Sequence, residues 1–178
     1  MAAFALEVKI DSFAYMPVQD FGNAFSTFIA QNFGAHRNDR IRVGILRAVA
    51  VSVGFGAAVS AAVWLYAPDL MMLFVSPEQA DIVATGVRYL RIEGSFYFGI
   101  GLLFLLYGYY RAVRMPGFSV VLTAISLGVR VVLAYSLAAL PSVGVEGIWW
   151  SIPVGWLIAD TVGIVYYLRT VKGRQVQV

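Results

Sequence analysis

The sequence has no cysteine and a single histidine, His36. Disulfide frameworks and thiolate metal sites are therefore excluded, and a zinc site would rest on carboxylates, a poor match to that ion's preferred ligands. Charge is scarce too: 13% of residues are charged and 60% are hydrophobic, with a mean hydropathy of +0.77. One soluble core of 178 residues cannot bury that much apolar surface, so the natural solvent for this chain is a bilayer. No Walker-type phosphate loop, Gly-x-Ser-x-Gly elbow, His-Glu-x-x-His helix or Asp-x-x-x-Asp cluster occurs. The sequence reads as no enzyme and needs no cofactor.

What is present is a set of apolar runs separated by short charged clusters. The net charge of +3 and pI of about 9.3 come from Lys and Arg confined to those clusters, which is a topology signal and not a nucleic-acid patch. A spanning helix needs roughly 20 mostly apolar residues. Five stretches meet that length, at about 12–33, 49–73, 92–111, 117–140 and 145–167. The expected fold is all-α, a polytopic transmembrane bundle of about five helices.

Each stretch has local support. The first is polar on one side and aromatic on the other, and falls short on hydropathy alone. The second carries two rows of small residues, Gly54, Ala58 and Ala62, and beside them Ser52, Gly56 and Ser60, which suit close helix approach. The third begins as an amphipathic turn near Pro77 and runs through SFYFGIGLLFLLYGYY to Arg111, with Gly99 and Gly101 read as packing residues. The fourth follows Met115, Pro116 and Gly117 and stops at Pro141. Trp149 and Trp150 at one end of the fifth, and Tyr166 and Tyr167 at the other, make aromatic belts one bilayer apart. Pro17 and Pro153 lie inside the first and last helices, where each removes a backbone hydrogen bond.

Alternate loops differ in charge. One set holds Arg37, Arg40, Arg42, Arg47, Arg111, Arg114, Arg169, Lys172 and Arg174; the other holds Lys9, Arg88 and Arg91 among Glu7, Asp11, Asp69, Glu78, Asp81 and Glu146. Cytoplasmic loops carry the Lys and Arg excess, which places the C-terminus in the cytoplasm and Met1 outside. Five spans is odd, and MAAFALEVK lacks a secretory leader, so the expectation is a chain that continues a longer inserted protein.

Two polar stripes carry what chemistry there is. On the first helix Asp20, Asn23, Thr27 and Gln31 share a face at three- and four-residue steps, flanked by Gln19 and Ser26. Such a stripe at membrane depth faces a cavity or other helices. On the fourth, Ser119, Thr123, Ser126 and Arg130 share a face. Helical rise places Arg130 about 18 Å and Asp20 about 20 Å from the cytoplasmic end, and Asp160 about 11 Å. Asp20 and Asp160 are thus alternative partners for Arg130, and a structural ion pair and a coupling role both remain open. Glu93, followed by Tyr97, sits near the outer end of the third helix as an interfacial carboxylate or a cation-binding group, the interface being favoured.

The stretch IDSFAYMPVQDFGNAFSTFIAQNFGAHRNDRIR resembles the eighth helix and following loop of the multidrug and toxic compound extrusion (MATE) transporters. Pro17, Ala24, Ser26, Gln31, Gly34 and Ala35 carry the resemblance, and LGVRVVLAY and GIWWSIPVGWLIAD are similar to that family's last two helices. The resemblance implies the C-terminal lobe of a plasma-membrane, cation-coupled (Na⁺ or H⁺) multidrug antiporter, working by alternating access on small organic cations. Na⁺ enters only as a transported ion. The partners implied are membrane lipid and the absent N-terminal lobe, or a second copy in its place. Asp20 and Glu93 are the candidates for coupling carboxylates that remain in this lobe, and one lobe alone is expected to be incompetent. A lipid-linked oligosaccharide flippase of the same broad superfamily, and an inert truncated membrane module, are the rival readings.

Overall fold

A computed structural model describes residues 2–76, 78–141 and 143–174, with side chains described at 12, 15–76, 78–141 and 143–170. The expected helix start at Pro77, the outer-loop residue Ser142, the side chains of Glu7, Lys9 and Asp11, and those of Lys172 and Arg174, lie outside these residues. Six helices follow in order: α1 (Ala2–Gly34), α2 (Asn38–Met72), α3 (Ala80–Gly94), α4 (Tyr97–Ala112), α5 (Pro116–Ala138) and α6 (Glu146–Arg174).

Apolar length explains most of them. Among the described residues α2, α5 and Glu146–Thr170 of α6 are long and apolar enough to cross a membrane, and α3 with α4, bent by 46° at their junction, pass the same test together. The chain is thus a multi-pass membrane protein. α1 has the length, 33 residues, but its polar stripe keeps it below that apolarity.

Three boundaries differ from the sequence reading. α2 begins at Asn38 and not near Val49, because the exposed segment with Arg40, Arg42 and Arg47 continues the same helix ahead of its apolar run. α1 likewise starts before Ser12. The third span is not one helix from about 92: it breaks at Ser95 and Phe96. The Gly94–Ser95 pair supplies the physical reason, since such pairs are among the few recurrent causes of sharp helix kinks.

Sharp turns close the bundle. His36 (φ 54°) follows α1, Arg114 (φ 63°) follows α4 and Gly144 (φ 56°) precedes α6, all in the left-handed region. α4 is the central helix, packing on α1, α2, α5 and α6. Its glycines make this geometry available. A Cβ at Gly101 would lie 2.6 Å from Ser52 Oγ of α2 and 2.9 Å from Val18 Cγ1 of α1, and one at Gly108 would lie 2.7 Å from the Gly22 carbonyl oxygen. Of the two small-residue rows on α2, Ser52, Gly56 and Ser60 are the buried one, and Gly54, Ala58 and Ala62 are exposed.

Candidate functional site

α1 places its polar face by what it buries. Val18, Gly22, Phe25, Ile29 and Asn32 recur at alternating four- and three-residue steps and are all buried. Their seam lies against α4, where Ser26 Oγ donates to the Gly108 carbonyl at 2.9 Å. Helical geometry then turns Asp20, Asn23, Thr27 and Gln31 to the far side, where all four are exposed; Gln19 is half-buried. The stripe recognised in the sequence is therefore one continuous surface, left exposed among the described residues.

That surface includes a cation that sequence spacing does not reveal. Arg111, at the end of α4, donates from Nη2 to Asn23 Oδ1 at 3.2 Å. Asn23, Ser26, Thr27, Gln31 and Arg111 line a groove of about 410 Å³. Thr27 Oγ1 donates back to the Asn23 carbonyl at 3.3 Å, which leaves the amide of Gln31 and the carboxylate of Asp20 as the outward-facing polar groups of the stripe.

The remaining sequence candidates lie elsewhere. Glu93 and Tyr97 flank the α3–α4 break, where the Tyr97 N–H donates to Ser60 Oγ of α2 at 3.3 Å. Glu93 is buried within the bundle, at 7% exposure. The bend turns this end of α3 onto α2, where Gly94 meets Val63, and so buries it. Arg130 on α5 lays its aliphatic stem over Gly155 of α6, a Cβ there falling 2.7 Å from Arg130 Cγ. Among the described residues Arg130 forms no ion pair with Asp20 or Asp160. Asp160 is buried on α6 against α4, with neither carboxylate oxygen hydrogen-bonded. Of the second stripe, Ser119 donates to the Tyr107 carbonyl at 3.2 Å and Thr123 to the Ser119 carbonyl at 3.0 Å, so both hydroxyls are engaged in packing.

The structure thus brings Gln19, Asp20, Asn23, Thr27 and Gln31 into one face, adds Arg111, and keeps Glu93 with Tyr97 and Arg130 with Asp160 apart from it. These features define a polytopic helical membrane protein with one polar wall. A family model described as MatE matches residues 1–136, and the chain belongs to the MATE family. Among curated proteins it is 28% identical to "Probable multidrug resistance protein YpnP" of Bacillus subtilis (strain 168), over 94% of this chain and 37% of that protein. It is 23% identical to "Probable multidrug resistance protein YoeA" of the same organism, over 98% of this chain and 38% of that one. The chain therefore spans little more than a third of the length of these relatives.

Solved structures agree on the fold. An outward-facing multidrug resistance MATE family transporter of the MOP superfamily superposes with a TM-score of 0.89 at 20% identity, over 97% of this chain and 38% of that one. A MOP superfamily transporter from Pyrococcus furiosus, whose binding pocket is described as having reverse polarity, gives 0.88 at 21% identity over 96% and 38%.

Proposed function

We propose that this chain forms one lobe of a cation-coupled multidrug efflux antiporter, driven by Na⁺ or H⁺ and exporting organic, often cationic, compounds by alternating access. The observation that carries the reading is the exposed polar face of α1 in a chain of the MATE family. Exposed polar side chains in the hydrocarbon region are stable only against a water-filled cavity or more protein. Asp20 supplies that wall with a carboxylate for an ion or an organic cation, and a second lobe, or a second copy, supplies the opposite wall.

The proposed setting is the plasma membrane with the C-terminus in the cytoplasm, supported by the Lys and Arg excess in the loops at Arg37–Arg42 and Arg111–Arg114. Labelling of single cysteines is clean because the chain has none of its own. Val145→Cys is expected to react only from outside and His36→Cys only from the cytoplasm; the reverse pattern would overturn the orientation.

Efflux of a cationic dye from vesicles tests the function. Vesicles with this sequence joined to a first lobe are expected to extrude dye when a Na⁺ or proton gradient is imposed, and vesicles with this chain alone are not. No gradient-driven efflux from the two-lobed protein would sink the reading. Full efflux by this chain alone would overturn the need for an added lobe and point to a homodimer.

A further inference from the structure

Asp160 has a more enclosed environment than the groups of the α1 stripe. It is 4% exposed, and neither Oδ1 nor Oδ2 has a hydrogen-bond partner. A Cβ at Gly99 would lie 3.8 Å from its Oδ2, so the carboxyl rests against the bare backbone of α4, beside an apolar cluster of Leu103, Ile152, Trp156 and Ala159.

The charged and titratable groups on the helices packed against α6 do not offset a negative charge there. On α4, Tyr107 is close enough to interact electrostatically with Asp160, and its side chain engages Thr123 of α5. Tyr110 commits its hydroxyl to the Gly163 carbonyl at 2.7 Å. On α5, Arg130 crosses α6 at Gly155, five residues away, without forming an ion pair to Asp160. From α3, Arg88 pairs with Glu146 at 3.3 Å and Tyr89 packs edge-on against Trp149. Eleven residues separate Trp149 from Asp160, about 16 Å along the helix.

A buried carboxylate needs donors, a cation or a proton. A hard metal cation would need several converging oxygens, and among the described residues neither Asp160 oxygen has a hydrogen-bond partner. We propose that Asp160 is a proton-binding site inside the lobe, separate from the polar stripe of α1. Its carboxylate takes one proton from water and becomes a neutral acid, and the packing of α6 on α4 retains that proton. The role of the site rests on the transport reading above.

Infrared spectroscopy of the full chain in lipid vesicles, with isotope-labelled aspartate, tests this directly. At neutral pH the carbonyl band of a protonated carboxylic acid is expected, lost in Asp160→Asn, displaced in Asp160→Glu and kept in Asp20→Asn. Carboxylate bands alone at that pH, a band indifferent to both Asp160 variants, or a band displaced by exchanging K⁺ for Na⁺ at fixed pH would each overturn the proposal. A protonated Asp160 in a two-lobed protein that moves no dye would count against transport alone. Proton-driven efflux with an ionised Asp160 would count against this site alone.

Discussion

Two helices of this bundle each leave one face uncovered, and the faces differ in chemistry. α5 exposes Val120, Val121, Leu127, Val131 and Val132, whereas α1 exposes Asp20, Asn23, Thr27 and Gln31. Apolar side chains facing outward are at rest in hydrocarbon, and an ionisable stripe is not. On the reading proposed above, the apolar face of α5 is the back, turned to lipid, and the polar face of α1 is the front, turned to a wet surface.

The comparison breaks most visibly under an added charge. Leu127 is 51% exposed midway along α5, so Leu127→Asp is expected to cost about 2.5–3.5 kcal/mol of membrane insertion. Asn23→Asp adds the same charge to the front, beside Arg111, and is expected to leave insertion unchanged. Insertion assays of both variants check this, and equal losses would erase the distinction between the faces.

Next in size is a contrast within α2. A Cβ at Gly56 would lie 2.6 Å from the Phe98 Cα, which as backbone cannot rotate away, while a Cβ at Gly54 meets nothing within 4 Å. Gly56→Val is expected to destabilise the lobe by about 1–3 kcal/mol, and Gly54→Val to be tolerated. Thermal unfolding in detergent reads both.

Smaller effects follow at the surface. The Arg88–Glu146 pair is exposed, at 62% and 45% of the side chains, so Arg88→Ala is expected to cost only about 0.2–1 kcal/mol, less at high salt. The smallest change in stability is expected for Asp20→Asn, within about 0.5 kcal/mol, because Asp20 is exposed and forms no ion pair with Arg130. That variant sharpens the comparison through function: in a two-lobed protein it is expected to abolish ion-driven efflux at normal abundance. Normal efflux would reduce Asp20 to passive lining.

Much of this was legible from spacing. The α1 stripe needs only helical periodicity, since the seam Val18, Gly22, Phe25, Ile29 and Asn32 fixes which side is left out. Gly101 as a packing residue was equally readable. Which small-residue row of α2 is buried was not, because Gly54 and Gly56 present the same lack of bulk and the partner helix decides. The α3–α4 break was hidden by the apolar run after Phe96, which reads as one continuous span, although Gly94 and Ser95 marked the place. The Arg111–Asn23 contact joins residues 88 positions apart, and no local pattern encodes it. Counting helical rise matched Arg130 in depth to Asp20 and kept Asp160 as an alternative partner, but depth does not fix which way side chains turn, and Arg130 pairs with neither.

The glycines of α4 have a mechanical consequence. Gly101 and Gly108 set its backbone against α1 and α2, and Gly99 sets it beside Asp160 of α6. Contacts made at the backbone have no side-chain rotamers to absorb a displacement, and close-packed interiors transmit strain. Force delivered to α6 would thus pass through α4 to α1 with little lost in between, which makes α4 a keel for the bundle.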